Sequence, residues 1–209
     1  NQPHAIEQTQ LRRQHRVDGV GRPKFDFHTG SREHVFNFRA SVRPVAMEAH
    51  IQGFTGKHYC PRMATMNNPC YAALREHASG RPALIFVASR RQTRLTALDL
   101  IALAAQDDDT SSWVGTDDDL DSIAKTCHDP ALRHCLPFGV GVHHGGLDES
   151  DRKVVENLFE RGAIQVLVCT STLAWGVNFP ARLVIVKGTE FFDGKLGRYV
   201  DFPVTDVLQ

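Results

Sequence analysis

Hydroxyl, guanidinium and imidazole groups sit just beyond three apolar runs of this chain, a placement suited to holding phosphates. The first case is Ala163–Pro180, AIQVLVCTSTLAWGVNFP, where an apolar stretch ends in Thr170, Ser171 and Thr172. Hydroxyls and free backbone N–H groups at the carboxyl end of a parallel strand make a ready phosphate site. On residue types alone, Leu173, Ala174 and Trp175 could instead be a turn of buried helix. The second case is Ala88-Ser-Arg-Arg-Gln-Thr, which follows the run ALIFV. Ser89 can present its hydroxyl and N–H to an anion, and Arg90 or Arg91 can add charge-assisted hydrogen bonds. The plainer alternative makes Ser89 a helix cap and the arginines a solvated helix start, although arginine there opposes the helix dipole. The third case is His143-His-Gly-Gly-Leu. Two rings beside glycines offer donors next to a backbone that a ligand can approach closely. A core histidine or half a metal site are the alternatives, and adjacent strand residues point to opposite faces.

These segments need elements to hold them. Short apolar runs bounded by turn residues predict buried strands at Ala83–Val87, Phe138–Val142, Ile164–Val168 and Leu183–Val186, and Met47–Phe54 (MEAHIQGF) also fits a strand. Ser89 opens a predicted helix with Leu95, Leu98, Ile101 and Ala105 on one face. Asp148 opens another, with Asp151 in its first turn, a buried stripe of Val154, Val155, Leu158 and Phe159, and Arg161-Gly162 as its stop. Pro61–His77 turns helical late, and Leu120–Lys125 is a weak helix. Alternating strands and helices predict an α/β fold, three layers around a mostly parallel sheet. Residues 1–40 read as a tail or interdomain linker, disordered or extended. Gln, Arg, His and Gly dominate Asn1–His34, and its apolar positions show no sustained period.

Composition narrows the class. A hydrophobic content of 42% supports a packed core, and the net charge of zero leaves any basic face offset elsewhere. The offset is visible in Asp107–Asp109 and in Asp117–Asp119 with Asp121, read as solvated loop. Five cysteines in no paired framework point to a reducing, intracellular compartment. No stretch approaches the roughly 20 apolar residues of a membrane span, and no secretory signal core opens the chain. The cysteine spacings do not make a zinc clip, so no metal is expected.

The residues from Phe36 onward resemble the superfamily 2 nucleic-acid helicases. Ala163–Pro180 is similar to motif V of that family, Ala88–Thr93 to motif IV, and His143–Leu147 to the short motif after a strand; Gly146 stands where the family has Ala, a small change expected to be tolerated. FNFRASVRPV (36–45) and HIQGFTGKHYCPRMATMN (50–67) most resemble the tandem-cassette, ATP-dependent helicases. Within that group the resemblance is nearest to the C-terminal cassette of the activating signal cointegrator complex helicases, then to the spliceosomal helicases.

The resemblance implies a second RecA-like domain over residues 41–209, within the P-loop NTPase superfamily, ending before motif VI. It implies nucleic-acid-backbone contacts from Ser89, Arg90, Arg91, His143, His144, Gly145, Thr170, Ser171 and Thr172. It places Trp175, Gly176, Val177, Asn178 and Gln209 at the ATP cleft. Aromatic runs flank Asp193-Gly194, a hairpin signal in its own right. In this group a hairpin there splits the duplex, which implicates Phe191, Phe192, Asp193, Gly194, Lys195, Arg198 and Tyr199; a hairpin packed on its own sheet is the alternative. Nothing matches a phosphate loop or an Asp-Glu-x-His-type magnesium motif. ATP and Mg2+ are thus cofactors of the full-length 3′–5′ helicase, and this fragment alone is expected to bind neither and to be inactive. Implied partners are single-stranded or partly duplex DNA or RNA, the first RecA-like domain of the same chain, and subunits of a larger nuclear or cytoplasmic complex, with no membrane. The competing reading is a non-catalytic helicase-like cassette that serves as a protein and nucleic-acid docking module.

Overall fold

The computed structural model describes residues 42, 45–56, 58–115, 119–174 and 179–208. The chain divides into two units, Asn1–Ile51 and Gln52–Gln209. In the first, Val42, Val45 and Met47 are exposed. The strand predicted over Met47–Phe54 is not formed; residues 46–56 adopt no regular element. An alternating stretch becomes a strand only when a neighbour completes its ladder, and none pairs with this one among the described residues.

The second unit holds a four-stranded sheet of β1 (Ala83–Phe86), β2 (Val140–His143), β3 (Val166–Cys169) and β4 (Leu183–Val186) in the order β2-β3-β1-β4. Every pairing is parallel. All four residues of β2 and of β3 are buried, so the middle of the sheet is covered on both faces, as the α/β prediction requires. The register is flush: Phe86, Cys169, His143 and Val186 end the four strands side by side. Both β2 and β3 start two residues and end one residue later than predicted. Leu136–Phe138 is a 3-10 turn, and Ile164 makes only an isolated bridge to Val114.

Helices α1 (Tyr59–Thr65) and α2 (Asn67–Ala73) precede the sheet, and α3 (Arg90–Gln106) follows β1. The stripe of α3 differs from the predicted one. Its buried positions are Gln92, Thr93, Thr96, Ala97, Leu100, Ile101 and Ala104, while Leu95 and Ala105 face solvent. Two threonines take core places because their hydroxyls have partners: Thr93 donates to the Arg90 carbonyl at 2.7 Å, and Thr96 accepts from Lys187 at 2.8 Å. Helices α4 (Leu120–Thr126) and α5 (Pro130–Cys135) lead to β2. The start of α5 was hidden in a polar stretch and is marked by Asp129, which accepts from Ala131 N and Leu132 N at 2.8 and 3.2 Å.

Helix α6 (Glu149–Glu160) packs on β2 at a close approach that only glycine permits. A Cβ on Gly141 would lie 2.5 Å from Val155 Cγ2 and 2.8 Å from Ile164 Cδ1. Asp148 occupies the N-cap of α6 but makes no side-chain cap bond. Asp151 does more than favour the helix dipole: buried, it accepts from His128 N at 3.0 Å and Asp129 N at 2.7 Å, tying α6 to the start of α5. Burial pushes its carboxyl up, but those backbone donors outweigh burial and hold it below the ordinary value. A separate antiparallel ribbon, β5 (Glu190–Asp193) and β6 (Arg198–Asp201), and helix α7 (Val204–Leu208) complete the unit.

Candidate nucleic-acid interface

Flush strand ends bring three of the sequence segments to one edge of the sheet. Ser89, exposed, caps α3 by accepting from Gln92 N at 3.3 Å, and Arg90 and Arg91, both exposed, begin the helix. Beyond β2, His144-Gly145-Gly146 forms a tight loop in which Gly146 N donates to His144 Nδ1 at 3.2 Å. That bond fixes Nδ1 as the acceptor and leaves Nε2 to carry the proton of the neutral ring. Burial holds the His144 imidazole below its ordinary value; Asp129 pulls the other way, and Arg90 adds to burial. Beyond β3, Thr170 N donates to the His143 carbonyl at 3.1 Å, and the hydroxyls of Thr170 and Thr172 share a hydrogen bond of 2.9 Å. Ser171–Leu173 is a 3-10 turn with Ser171 and Thr172 exposed and Leu173 buried.

The loops interlock. The Arg90 guanidinium lies over Gly146, so that a Cβ there would come within 2.5 Å of Nη1. The Arg90 guanidinium thus fills the space that a side chain at residue 146 would take. The position of a Cβ on Gly145 lies 3.6 Å from Thr172 Cγ2. Ser89, Arg90, Arg91, His144, Gly145, Thr170, Ser171 and Thr172 thus share the carboxyl edge of β1, β2 and β3.

His143 is different. Its side chain is buried, and its Nε2 donates to Glu156 Oε1 of α6 at 2.8 Å, while Nδ1 finds no partner among the described residues. The imidazole faces the helix layer instead of the strand-end surface, because alternation puts it on the same face as Gly141. Direct nucleic-acid contact by this ring is corrected to a core role. Glu156 gave no signal in the sequence beyond its place on a helix. Trp175, Gly176, Val177, Asn178 and Gln209 lie outside the described residues. Phe179, just after the first four, packs edge-on against Phe159 with centroids 5.4 Å apart.

The hairpin forms as the aromatic runs predict, with Phe191 opposite Val200, Phe192 opposite Tyr199 and Asp193 opposite Arg198. Its turn is not a two-residue Asp-Gly turn. Asp193 Oδ1 accepts from Lys195 N and Leu196 N at 2.7 and 3.1 Å, its carbonyl accepts from Gly197 N at 2.8 Å, and Gly197, not Gly194, takes the positive φ, 64°. Phe192 and Tyr199 are 56% and 42% exposed and meet edge-to-face at 5.4 Å; Phe191 is half-buried against Phe202. Lys195, Leu196 and Arg198 are exposed around the tip.

Just before the hairpin, Lys187 is buried, a position the sequence reading passed over although a lysine ending an apolar strand is itself a signal. Its Nζ donates to Asn67 Oδ1 of α2 and to Thr96 Oγ1 of α3, and Asn67 Nδ2 donates to Asp99. Burial pushes the Lys187 ammonium down to about 8. Among the described residues, no three His, Cys, Asp or Glu side chains converge on a metal site, and no helix is long and apolar enough to cross a membrane.

Most of the chain is similar to known proteins. The family described as "Helicase conserved C-terminal domain" matches residues 66–193. The chain is 61% identical over 176 residues to activating signal cointegrator 1 complex subunit 3 of Mus musculus, covering 84% of this chain and 8% of that protein. It is 59% identical over 176 residues to the DExH-box ATP-dependent RNA helicase DExH14 of Arabidopsis thaliana, again 84% of this chain and 8% of that protein. A crystal structure of the DUF1998 helicase MrfA bound to DNA and AMPPNP shares 16% identity and a TM-score of 0.41 over 60% of this chain and 14% of that one, too low an overlap to bear on function.

Proposed function

Because the chain belongs to the family of helicase conserved C-terminal domains, we propose that it is the second RecA-like half of an ATP-dependent 3′–5′ helicase whose strand-end edge holds the sugar-phosphate backbone of the translocated strand. The observation that carries this reading is the interlock of three loops at one edge, Arg90 on Gly146 and Gly145 against Thr172. The exposed Ser171 hydroxyl, whichever of the paired Thr170 and Thr172 hydroxyls keeps its proton free, the Ser89 cap, the N–H of His144 Nε2 and the Arg90 and Arg91 guanidinium groups supply donors there, and phosphate oxygens are pure acceptors. Nothing in that set reads base identity, which suits a motor that must pass any sequence.

In the full-length protein, Trp175–Asn178 and Gln209 would face the nucleotide between this domain and the first RecA-like domain, and ATP with Mg2+ would supply the phosphoryl chemistry from groups outside this chain. The hairpin would meet the duplex junction, with Phe192 and Tyr199 against unpaired bases. The whole protein would then work inside a larger nuclear or cytoplasmic assembly on DNA or RNA.

Fluorescence anisotropy of the chain with a labelled single-stranded oligonucleotide tests the edge. Weak binding that falls steeply with added salt is expected, because phosphate contacts release counterions. Affinity that does not change with salt would overturn the backbone-contact reading. The chain alone is expected to release no phosphate from ATP; strand-stimulated hydrolysis by the pure protein would overturn that part.

A further inference from the structure

The hairpin is a ribbon of two strands that pairs with no strand of the main sheet, and such a ribbon has little stability of its own. Its direction must come from something else. Helix α1, only seven residues long, touches it or its root at three points. The Tyr59 ring stacks on Tyr199 with centroids 4.2 Å apart and planes 16° apart. The Arg62 guanidinium pairs with the Glu190 carboxylate at the first residue of β5. Met63 is 1% exposed, and its Sδ sits 3.2 Å from where a Cβ on Gly188 would be, at a residue with φ 91°.

The contacts run further in both directions. Tyr199 passes the stack to Phe192, making a ladder Tyr59–Tyr199–Phe192 from the body of the domain to an exposed ring. Arg62 uses its other nitrogen to donate to the Gly56 carbonyl at 3.2 Å, so one side chain holds both the segment before α1 and the start of the hairpin. Three side chains at positions 59, 62 and 63 cover one face of α1, which is the spacing a helix needs to present them together.

We propose that α1 is the bracket that aims the hairpin, with Tyr59 and Arg62 as positioning residues for strand separation. The use in strand separation rests on the proposed function of the hairpin; the bracket itself does not. Burial, then the neighbouring Tyr199 hydroxyl, pushes the Tyr59 phenol up to about 12, so the ring is neutral under assay conditions and phenylalanine is its conservative replacement.

Hydrogen exchange on the chain tests the bracket. Tyr59→Leu is expected to speed exchange of amides in 189–202 about threefold to tenfold, the change that loss of one aromatic pair gives, while amides of β1 and β3 keep their rates. Tyr59→Phe restores the original rates, and Arg62→Gln reproduces the effect from the other contact. Unchanged exchange in 189–202 overturns the bracket, and so does faster exchange in the sheet as well, which marks a general folding role. In the full-length protein, Tyr59→Leu is expected to cut duplex unwinding severalfold and leave single-strand-stimulated ATP hydrolysis intact, with Tyr59→Phe active in both. If deleting the tip 194–197 stops unwinding while Tyr59→Leu does not, the aiming role is wrong. If deleting the tip leaves unwinding unchanged, the separating role fails while the bracket, read by exchange, stands.

Discussion

Replacing Lys187 by methionine should change how the stability of the domain depends on pH. The ammonium is buried between α2 and α3, holds Asn67 and Thr96, and is pushed down to about 8. The gap from the ordinary 10.5 corresponds to about 3 kcal/mol of cost for keeping the charge at neutral pH. Between those two values the unfolded chain binds the proton more tightly than the folded one, so stability rises with pH through the window. From pH 7 to pH 9 the gain is about 1 kcal/mol, near tenfold in the folding constant. Urea denaturation of the wild type and of Lys187→Met at both pH values reads it: the wild type gains that amount over the variant, which has nothing to deprotonate. Cys70 and Cys135, pushed up to about 12 by burial, lose stability as pH climbs above the ordinary thiol value, so the upper limit stays at pH 9 and their effect largely cancels in the difference. Parallel stability curves for the two proteins would refute the reasoning and mean that Lys187 stays solvated or finds a counter-charge when it is protonated.

Other substitutions separate the remaining parts. Gly141→Ala should cost about 1–3 kcal/mol, because α6 sits where the methyl would go, and calorimetry reads it as a fall in Tm. Asp151→Asn should cost about 2 kcal/mol at pH 7, with the gap closing as pH falls below the ordinary carboxylate value, since the folded carboxyl is held lower and its contribution is lost on protonation; a gap constant down to pH 3 would refute it. Arg90→Gln should make the salt dependence of single-strand binding shallower by about 0.7 in the logarithmic slope, and Thr172→Val should weaken binding about twofold to tenfold at any fixed salt.

Much of this fold could be read before the structure because β1, β2 and β3 are buried on both faces. The runs ALIFV and LVIV each became a strand within a residue of its predicted limits, but only the first is buried as expected: LVIV is the edge strand β4, with Val184 and Val186 exposed. Hydroxyls and arginines placed just past such runs were legible for the same reason: a strand end fixes where the next residue lies. What could not be read was which face of an element meets which partner. In α3 the aliphatic residues suggested one stripe, while Thr93 entered the core by bonding back to the Arg90 carbonyl and Thr96 because Lys187, distant in the chain, satisfies it. His143 followed the same logic, since Glu156 reaches it from thirteen residues away across the sheet–helix interface. Tyr59 lies before, and Arg62 at the start of, a segment expected to turn helical only late, and only the fold of residues 187–201 gives them these neighbours.

The common register of the strands has a metrical consequence. Four parallel strands ending level place the residues that follow them in a row whose pitch is the hydrogen-bonding separation of the sheet, about 4.8 Å from one strand to the next. From the loop after β2 to the loop after β1 is therefore about 10 Å, which is about three times the 3.4 Å rise per nucleotide of one strand in a duplex. Backbone pairing, not loop chemistry, sets that gauge. On the function proposed above, changing Ser89, Arg90 or Thr172 would alter how firmly a polyanion is held but leave the spacing of the handholds as it was, so the grip would weaken and the stride would not.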